Sequence, residues 1–280
     1  MNRSTEFTVP NSLSSDCNNC FGLCCVALPY AESADFPFYK DSGEPCRHLL
    51  TDYRCRIHDQ LREEGFRGCS VYECFGAGQK VSQQTYHGSD WKTHGHIANE
   101  MFEVFPIMQQ LHEMLRYLHE AFSLNVAKPF HHDIKLVIHE INQLTNLSPT
   151  NILALDISKH RATVNDLLLQ TSERFRAKLK RKNTHPTLKK GPDLIGAKLR
   201  GANLSGFNFR GSLLIAADLR KADLRMADMI GADLRDANIC GADLRDCLFL
   251  TQAQVQSANG DKYTKLPPTV TTPEHWLMNG

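Results

Sequence analysis

From Asp193 to Leu250 an apolar residue stands at every fifth position without exception: Leu194, Leu199, Leu204, Phe209, Leu214, Leu219, Leu224, Met229, Leu234, Ile239, Leu244 and Phe249. Two positions before most of these lies an alanine (Ala197, Ala202, Ala217, Ala222, Ala227, Ala232, Ala237, Ala242), with Pro192, Phe207, Ser212 and Cys247 as departures. Asp or Asn usually sits between. Residues two apart on an extended segment face the same side, so each unit sends one small and one large apolar side chain inward and then turns a corner. A helix needs apolar spacings of three and four, and a strict five would smear them around its surface. The pattern predicts a stack of short extended segments.

Upstream the period changes. From Ile97 the residues Met101, Val104, Phe105, Met108, Leu111, Leu115, Leu118 and Phe122 recur at three and four, which is one helix face. Pro106 is expected to break or kink that helix. Further helices are expected over 132–144, from Ser148-Pro149 as N-cap and first-turn proline, and over 158–182. Together they predict a helical bundle or collar packed on the segment before it. The histidines His94, His96, His112, His119, His131, His132 and His139 lack a carboxylate that completes a metal pattern, so they read as structural or surface residues. The basic run Arg174, Arg176, Lys178, Lys180, Arg181, Lys182, Lys189 and Lys190 reads as a solvated helix end and linker, bounded by Pro186 and Gly191-Pro192.

The five-residue unit resembles the pentapeptide-repeat family, whose consensus of Ala, Asp or Asn, Leu and two variable residues is matched almost unit for unit. The resemblance implies a right-handed, four-sided β-helix with four units per coil, so the twelve units make about three coils. Such a stack is roughly 14 Å tall at the usual strand separation, and its open ends need caps. Phe207, where a small residue is expected, is a candidate plug for the first coil. The segment 250–258 and Trp276 are candidates for the last. Some members of the family protect DNA gyrase by imitating DNA. Here 193–250 holds eight acids (Asp193, Asp218, Asp223, Asp228, Asp233, Asp236, Asp243, Asp246) against eight bases (Lys198, Arg200, Arg210, Arg220, Lys221, Arg225, Arg235, Arg245), so the required field is missing. The expected role is docking of a partner protein or scaffolding.

The chain has 280 residues, with 32 basic against 31 acidic and a formal charge of +1, so no global field attracts nucleic acid or an anionic membrane. Nucleic acid is not an expected partner, and a stretch of about 18 apolar residues, which a membrane span needs, is not found. Met1–Asp16 has neither the basic start nor the apolar run of a signal peptide. A cytoplasmic protein is expected.

Composition changes the picture at one place. Eight of the ten cysteines lie between Cys17 and Cys74: Cys17, Cys20, Cys24, Cys25, Cys46, Cys55, Cys69 and Cys74, with His58 three residues beyond Cys55. Thiols this closely spaced in a reducing compartment point to metal, and thiolate favours zinc or iron. Two closed four-ligand zinc sites, one bridged dinuclear site, or one iron–sulfur cluster with spare cysteines all remain open, and His58 is a candidate substitute ligand. Adjacent Cys24 and Cys25 are awkward on one tetrahedral ion, so they are expected to bridge or to serve different sites. Cys240 and Cys247, inside the repeats, read as structural. The glycines of Phe75-Gly76-Ala77-Gly78-Gln79-Lys80 read as a tight turn beside the metal, since the P-loop and Rossmann spacings are absent.

The cysteine segment resembles a family of zinc- or iron-chelating domains, in which an early group ending in Cys-Cys precedes a Pro-Cys-x-x-Leu element, a Cys-x-Ile-His element and a final cysteine group. Here these are Cys17 to Cys25, Pro45-Cys46-Arg47-His48-Leu49, Cys55-Arg56-Ile57-His58, and Cys69 to Cys74. It implies binding, not a reaction. The expected organisation is a flexible N-terminus (1–16), a cysteine-rich metal-binding module (17–83), a helical region (84–183), a linker (184–191), the β-helix (192–260) and a C-terminal tail or cap (261–280). The expected function is a metal-binding protein with an interaction scaffold. The alternative is an iron–sulfur redox protein or enzyme using the same cysteines. Catalysis stays open, since neither a Ser, His and Asp motif nor a zinc-hydrolase His-Glu pattern is present.

Overall fold

The computed structural model describes residues 8–177, 179 and 191–277. The chain divides into two compact units between Leu168 and Leu169. Among the described residues no helix is long and apolar enough to cross a membrane.

In the first unit the cysteine segment and the helices form one body. The cysteine segment holds three short helices, α1 (Leu23–Ala27), α2 (Arg67–Ser70) and α3 (Ala77–Gln79), and α3 runs on into a wider π-turn over Lys80–Thr85. Of these α1 and α3 pack on α4 (Ala98–Ser123), as do α5 (His131–Leu144) and α6 (Pro149–Leu153), and Arg161 of α7 (Ile157–Arg176) donates to Gln110 Oε1 of α4 at 3.0 Å. The three-and-four spacing explains α4: Met101, Val104, Phe105, Met108, Leu111, Leu115 and Leu118 are each at most 2% exposed. Of the break or kink expected at Pro106, the break does not occur, and α4 runs through it. Pro106 cannot donate to the carbonyl of Phe102, but the buried face on both sides outweighs one lost hydrogen bond. Ser148 caps α6 as expected, its side chain accepting from the Asn151 N–H.

The described part of the lead-in is docked, which corrects the expectation of a flexible N-terminus over 1–16. Leu13 is buried, Gln79 Nε2 donates to the Ser14 carbonyl at 2.7 Å, and the Asp16 N–H donates to Gln79 Oε1 at 3.2 Å. Residues 1–7 lie outside the described residues, as does the expected linker except Gly191.

The second unit begins earlier than the repeats, because α7 from Leu169 onward belongs to it. Its coils are read from parallel bridges twenty residues apart: Asp193 with Leu213 and Leu213 with Asp233, Lys198 through Asp218 to Asn238, Asn203 through Asp223 to Asp243, and Asn208 through Asp228 to Leu248. Twenty residues are four units, so each coil has four sides. The ladders are single bridges, and no extended strand forms among the described residues. This is what a five-residue unit allows, since three of its residues go into the corner. At each corner an N–H returns to the carbonyl three residues earlier, as from Ala222 to Leu219 at 3.0 Å. The residue before that N–H lies at positive φ, for example Gly201 (66°) and Met226 (60°). That is a type II turn.

The Asp or Asn of each unit has its own reason. Asp218 Oδ1 accepts the N–H of Arg220 two residues on at 3.3 Å, tying off a corner donor. The same carboxylate takes Arg220 Nε at 2.7 Å and Nη2 at 2.6 Å, and the pairs Asp223–Arg225, Asp233–Arg235 and Asp243–Arg245 repeat the arrangement. Four of the eight acids and four of the eight bases thus pair within units, and Arg210 pairs with Asp228 from the next coil at 3.0 Å. The pairs within units are half-exposed, so solvent and salt screen them.

Both ends of the stack are covered. Phe207 is half-buried and packs on Phe209 with ring centroids 4.5 Å apart. Arg176 and Leu179 also reach Gly206 at this end, so Arg176 departs from the solvated helix end expected of it. The remaining lysines and arginine of the basic run after Arg176 lie outside the described residues. At the far end α8 (Gln252–Ser257) carries a capping box at Thr251, and Gln254 Nε2 donates to the carbonyls of Met229 and Ala232 at 2.7 and 2.8 Å. Asn259 and Lys265 extend two ladders past the last unit, and Val255, Val270 and Trp276 join the apolar core.

Candidate metal centre

All ten cysteines are free thiols. The eight of the N-terminal segment come from elements that the fold draws together. A 3-10 turn over Cys17–Asn19, capped by Asp16, carries Cys17 and leads to Cys20. Gly22, at φ 66°, starts α1 and so sets Cys24 and Cys25; a side chain there would meet Leu49 at 2.7 Å. The Cys46 N–H donates to the Cys25 carbonyl at 2.9 Å, and Leu49, three residues on, pairs with Cys55 in an antiparallel bridge. Cys69 lies on α2, and Cys74 precedes the glycine turn.

That turn is built to sit against sulfur. Phe75 (φ 52°) and Gly76 (φ 81°) reverse the chain, and a Cβ at Gly78 would lie 2.6 Å from Cys20 Sγ and 3.9 Å from Cys74 Sγ. His112 on α4 holds the turn from behind, its Nδ1 2.8 Å from the Phe75 carbonyl. Burial holds that imidazole down to about 4 against an ordinary 6.5, so it is neutral and structural.

Burial pushes most of the thiols up: Cys20 to about 11 and Cys69 to about 12, with Cys17 and Cys55 raised as well. Cys24 and Cys25 have their sulfurs 3.9 Å apart. Their hydrogen bond raises Cys24 and lowers Cys25, and Lys40 lowers Cys25 further. Around these sulfurs stand polar groups that the spacing of cysteines does not reveal. Tyr30 Oη donates to Cys46 Sγ at 3.5 Å, and Ser15 Oγ lies 3.2 Å from Cys74 Sγ. Tyr72 feels the charges of Cys24, Cys74 and Cys20, yet its buried hydroxyl has no hydrogen-bond partner among the described residues. Lys40 is 1% exposed, its Nζ donating to the carbonyls of Val26, Asp41 and Glu44.

Among the described residues no three His, Cys, Asp or Glu side chains are drawn together closely enough to hold an ion as they stand. The donor set still fits a thiophilic metal. The buried Tyr72 hydroxyl is a donor with no hydrogen-bond partner among the described residues. His58, expected as a substitute ligand, is exposed on the turn 58–60 and lies outside these contacts. Cys240 and Cys247 are far along the β-helix: Cys247 is buried and donates to the Leu224 carbonyl at 3.1 Å, as a structural residue would.

A family model described as pentapeptide repeats matches residues 193–229 and 212–249, in eight copies. The uncharacterized protein YybG of Bacillus subtilis (strain 168) is 66% identical over 264 residues, which are 94% of this chain and 95% of that one. Two solved pentapeptide repeat proteins are also similar. One, from the thylakoid lumen of Arabidopsis thaliana, is 20% identical over 35% of this chain and 80% of its own, with a TM-score of 0.15. Another, from Nostoc Pcc 7120, is 31% identical over 30% of this chain and 88% of its own, with a TM-score of 0.13.

Proposed function

Because this chain belongs to the same family as Bacillus subtilis YybG and carries pentapeptide repeats in its second unit, we propose that it is a two-part binding protein. The first unit holds zinc or iron on Cys17, Cys20, Cys24, Cys25, Cys46, Cys55, Cys69 and Cys74. The β-helix is a scaffold that docks another protein, in the cytoplasm. The observation that supports the metal reading is the density of free thiols between Cys17 and Cys74, with the sulfurs of Cys24 and Cys25 3.9 Å apart and those of Cys20 and Cys74 both beside Gly78. Nothing in ordinary core packing requires seven half-buried thiols and an exposed one in so short a segment, two of them with a hydroxyl at hydrogen-bond distance.

These thiolates would hold the ion, and the ion when bound would supply structural closure of a segment poor in regular elements. A second reading, an iron–sulfur redox centre, is favoured by the Tyr30 hydroxyl on Cys46 and by Lys40 behind it, because hydrogen bonds and charge near sulfur set potential. Purification of the full chain without oxygen, metal analysis and a visible spectrum separate the two. Colourless protein with stoichiometric zinc supports the first, and brown protein with iron and labile sulfide supports the second. Metal-free protein overturns both.

A further inference from the structure

We propose that His48 and Arg56 form a binding site for a phosphate group, free or as a small monoester, and that Arg47 positions it. The site uses none of the thiols and stands apart from the metal-binding reading.

A short hairpin builds it. The Arg56 N–H donates to the His48 carbonyl at 2.9 Å, the Leu50 N–H donates to the Arg54 carbonyl at 2.8 Å, and Leu49 and Cys55 form the antiparallel bridge between them. In that register His48 and Arg56 stand directly opposite each other, so their side chains share one face. The His48 ring is held in place: it is 9% exposed, and the buried ring of Phe66 meets it nearly at a right angle with centroids 5.1 Å apart. Arg47 is held too, its guanidinium carbon 3.8 Å from the centre of the Phe38 ring.

These three side chains cannot satisfy one another. Arg47 Nε donates to His48 Nε2 at 3.4 Å, and Arg56 Nη2 lies 3.4 Å from His48 Nδ1. A guanidinium has donors only, and an imidazole has one acceptor nitrogen when neutral and none when protonated. In neither protonation state can the ring accept from both arginines. With Nε2 taken by Arg47, the proton of the neutral ring is on Nδ1, and Nδ1–H and Arg56 are two donors side by side. One acceptor placed before both would complete them.

Charge selects that acceptor. Among the described residues neither Arg47 nor Arg56 is in an ion pair, whereas Arg54 on the same strand is closed by Asp52, its Nε donating to Oδ2 at 2.7 Å. Glu64, the carboxylate whose charge reaches His48, is exposed and pairs with neither arginine. Two guanidiniums flanking one ring favour a dianion, and phosphate has oxygens enough to take Nδ1–H and the fork of Arg56 together. Arg47 is a positioning residue, since it acts on the anion through the ring that it orients.

The test is calorimetric titration of the full chain, purified anaerobically with its native metal in phosphate-free buffer, with inorganic phosphate and with glycerol phosphate. One phosphate per chain is expected. Arg56→Gln is expected to weaken binding at least about tenfold, the usual loss of a hydrogen bond to a charged group, and Arg56→Lys, which keeps the charge, to weaken it less. Arg54→Gln removes the same charge from the same strand and is expected to leave the affinity unchanged. In spectra of protein labelled with 15N at histidine, His48 is expected to carry its proton on Nδ1, and Arg47→Gln to lose that preference and weaken binding. Absence of phosphate binding would overturn the site. Equal losses from Arg54→Gln and Arg56→Gln would overturn it as well, because they mark a diffuse basic surface. A His48 proton on Nε2 in the wild type would overturn the role of Arg47, and acetate binding as tightly as phosphate would overturn the choice of ligand. Glycerol phosphate that binds as tightly as the free ion identifies an ester, and its exclusion identifies the free ion; either supports the site.

Discussion

The indole Nε1 of Trp276 donates to the carbonyl of Ala258 at 3.1 Å, and its ring lies over Gly260, where a Cβ would come within 2.6 Å of it. The chain thus folds back over its last coil and buries the tryptophan to 3% exposure. Trp276→Ala is expected to destabilise the β-helix by about 3–5 kcal/mol, the usual loss for a buried large aromatic. Removal of residues 261–280 should cost more, since it also takes Lys265 from its ladder and Val270 from the core. Thermal melting followed by circular dichroism measures both, and an unchanged melt would contradict the cap.

Gly78 has ordinary backbone angles, so its need for glycine is steric: the methyl of alanine would sit 2.6 Å from Cys20 Sγ. Gly78→Ala is therefore expected to lower metal retention at least about tenfold, as changes beside metal ligands commonly do. Gly95→Ala is the control, because nothing lies within 4 Å of a Cβ there. Metal content after dialysis against chelator compares the two, and equal retention would contradict the close approach.

Five corners of the coil hold a side chain at positive φ where others hold glycine: Ala216, Lys221, Met226, Asp236 and Asp246. A left-handed conformation costs a non-glycine residue about 1–2 kcal/mol, partly offset by the greater chain entropy glycine loses on folding. Lys221→Gly and Met226→Gly are each expected to stabilise the β-helix by about 0.5–1 kcal/mol. A fall in the denaturant midpoint for both would contradict the turn assignment.

His112 gives the first unit a pH dependence of definite sign. Its folded value of about 4 lies below the ordinary 6.5, so the unfolded chain binds the proton more tightly. The stability it contributes is complete above about 6.5, falls as the pH drops through that window, and is gone below about 4. The size is on the order of 3 kcal/mol. Urea midpoints between pH 7 and 4 measure it, and His112→Gln is expected to flatten the profile in that window.

The second unit was readable from sequence because one physical rule, a small and a large inward residue per corner, repeats at a fixed period. What the period could not show was why Asp or Asn lies between them, which depends on the carboxylate of Asp218 reaching the N–H of Arg220. Nor could it show that Arg176 at the end of α7, and Leu179 just beyond it, reach Gly206 of the first coil, because a basic helix end reads as solvated. In the first unit the cysteines announced themselves, but their grouping did not: adjacent Cys24 and Cys25 sit on a turn of helix that sequence spacing cannot orient. Lys40, Tyr30 and Tyr72 carried no signal at all, since a lysine or tyrosine in a loop-rich segment is ordinarily a surface residue. At Pro106 a local rule was overruled by the buried face of α4.

The central claim is that the eight N-terminal thiols are ligands. The most direct measurement is the number of thiols in the native full chain that react with an aromatic disulfide reagent before and after a strong chelator is added. The expected result is that Cys240 alone reacts before chelator, since Cys247 is buried, and that eight more follow once the metal is withdrawn. Reaction of the eight N-terminal thiols at once, with chelator making no difference, would contradict it.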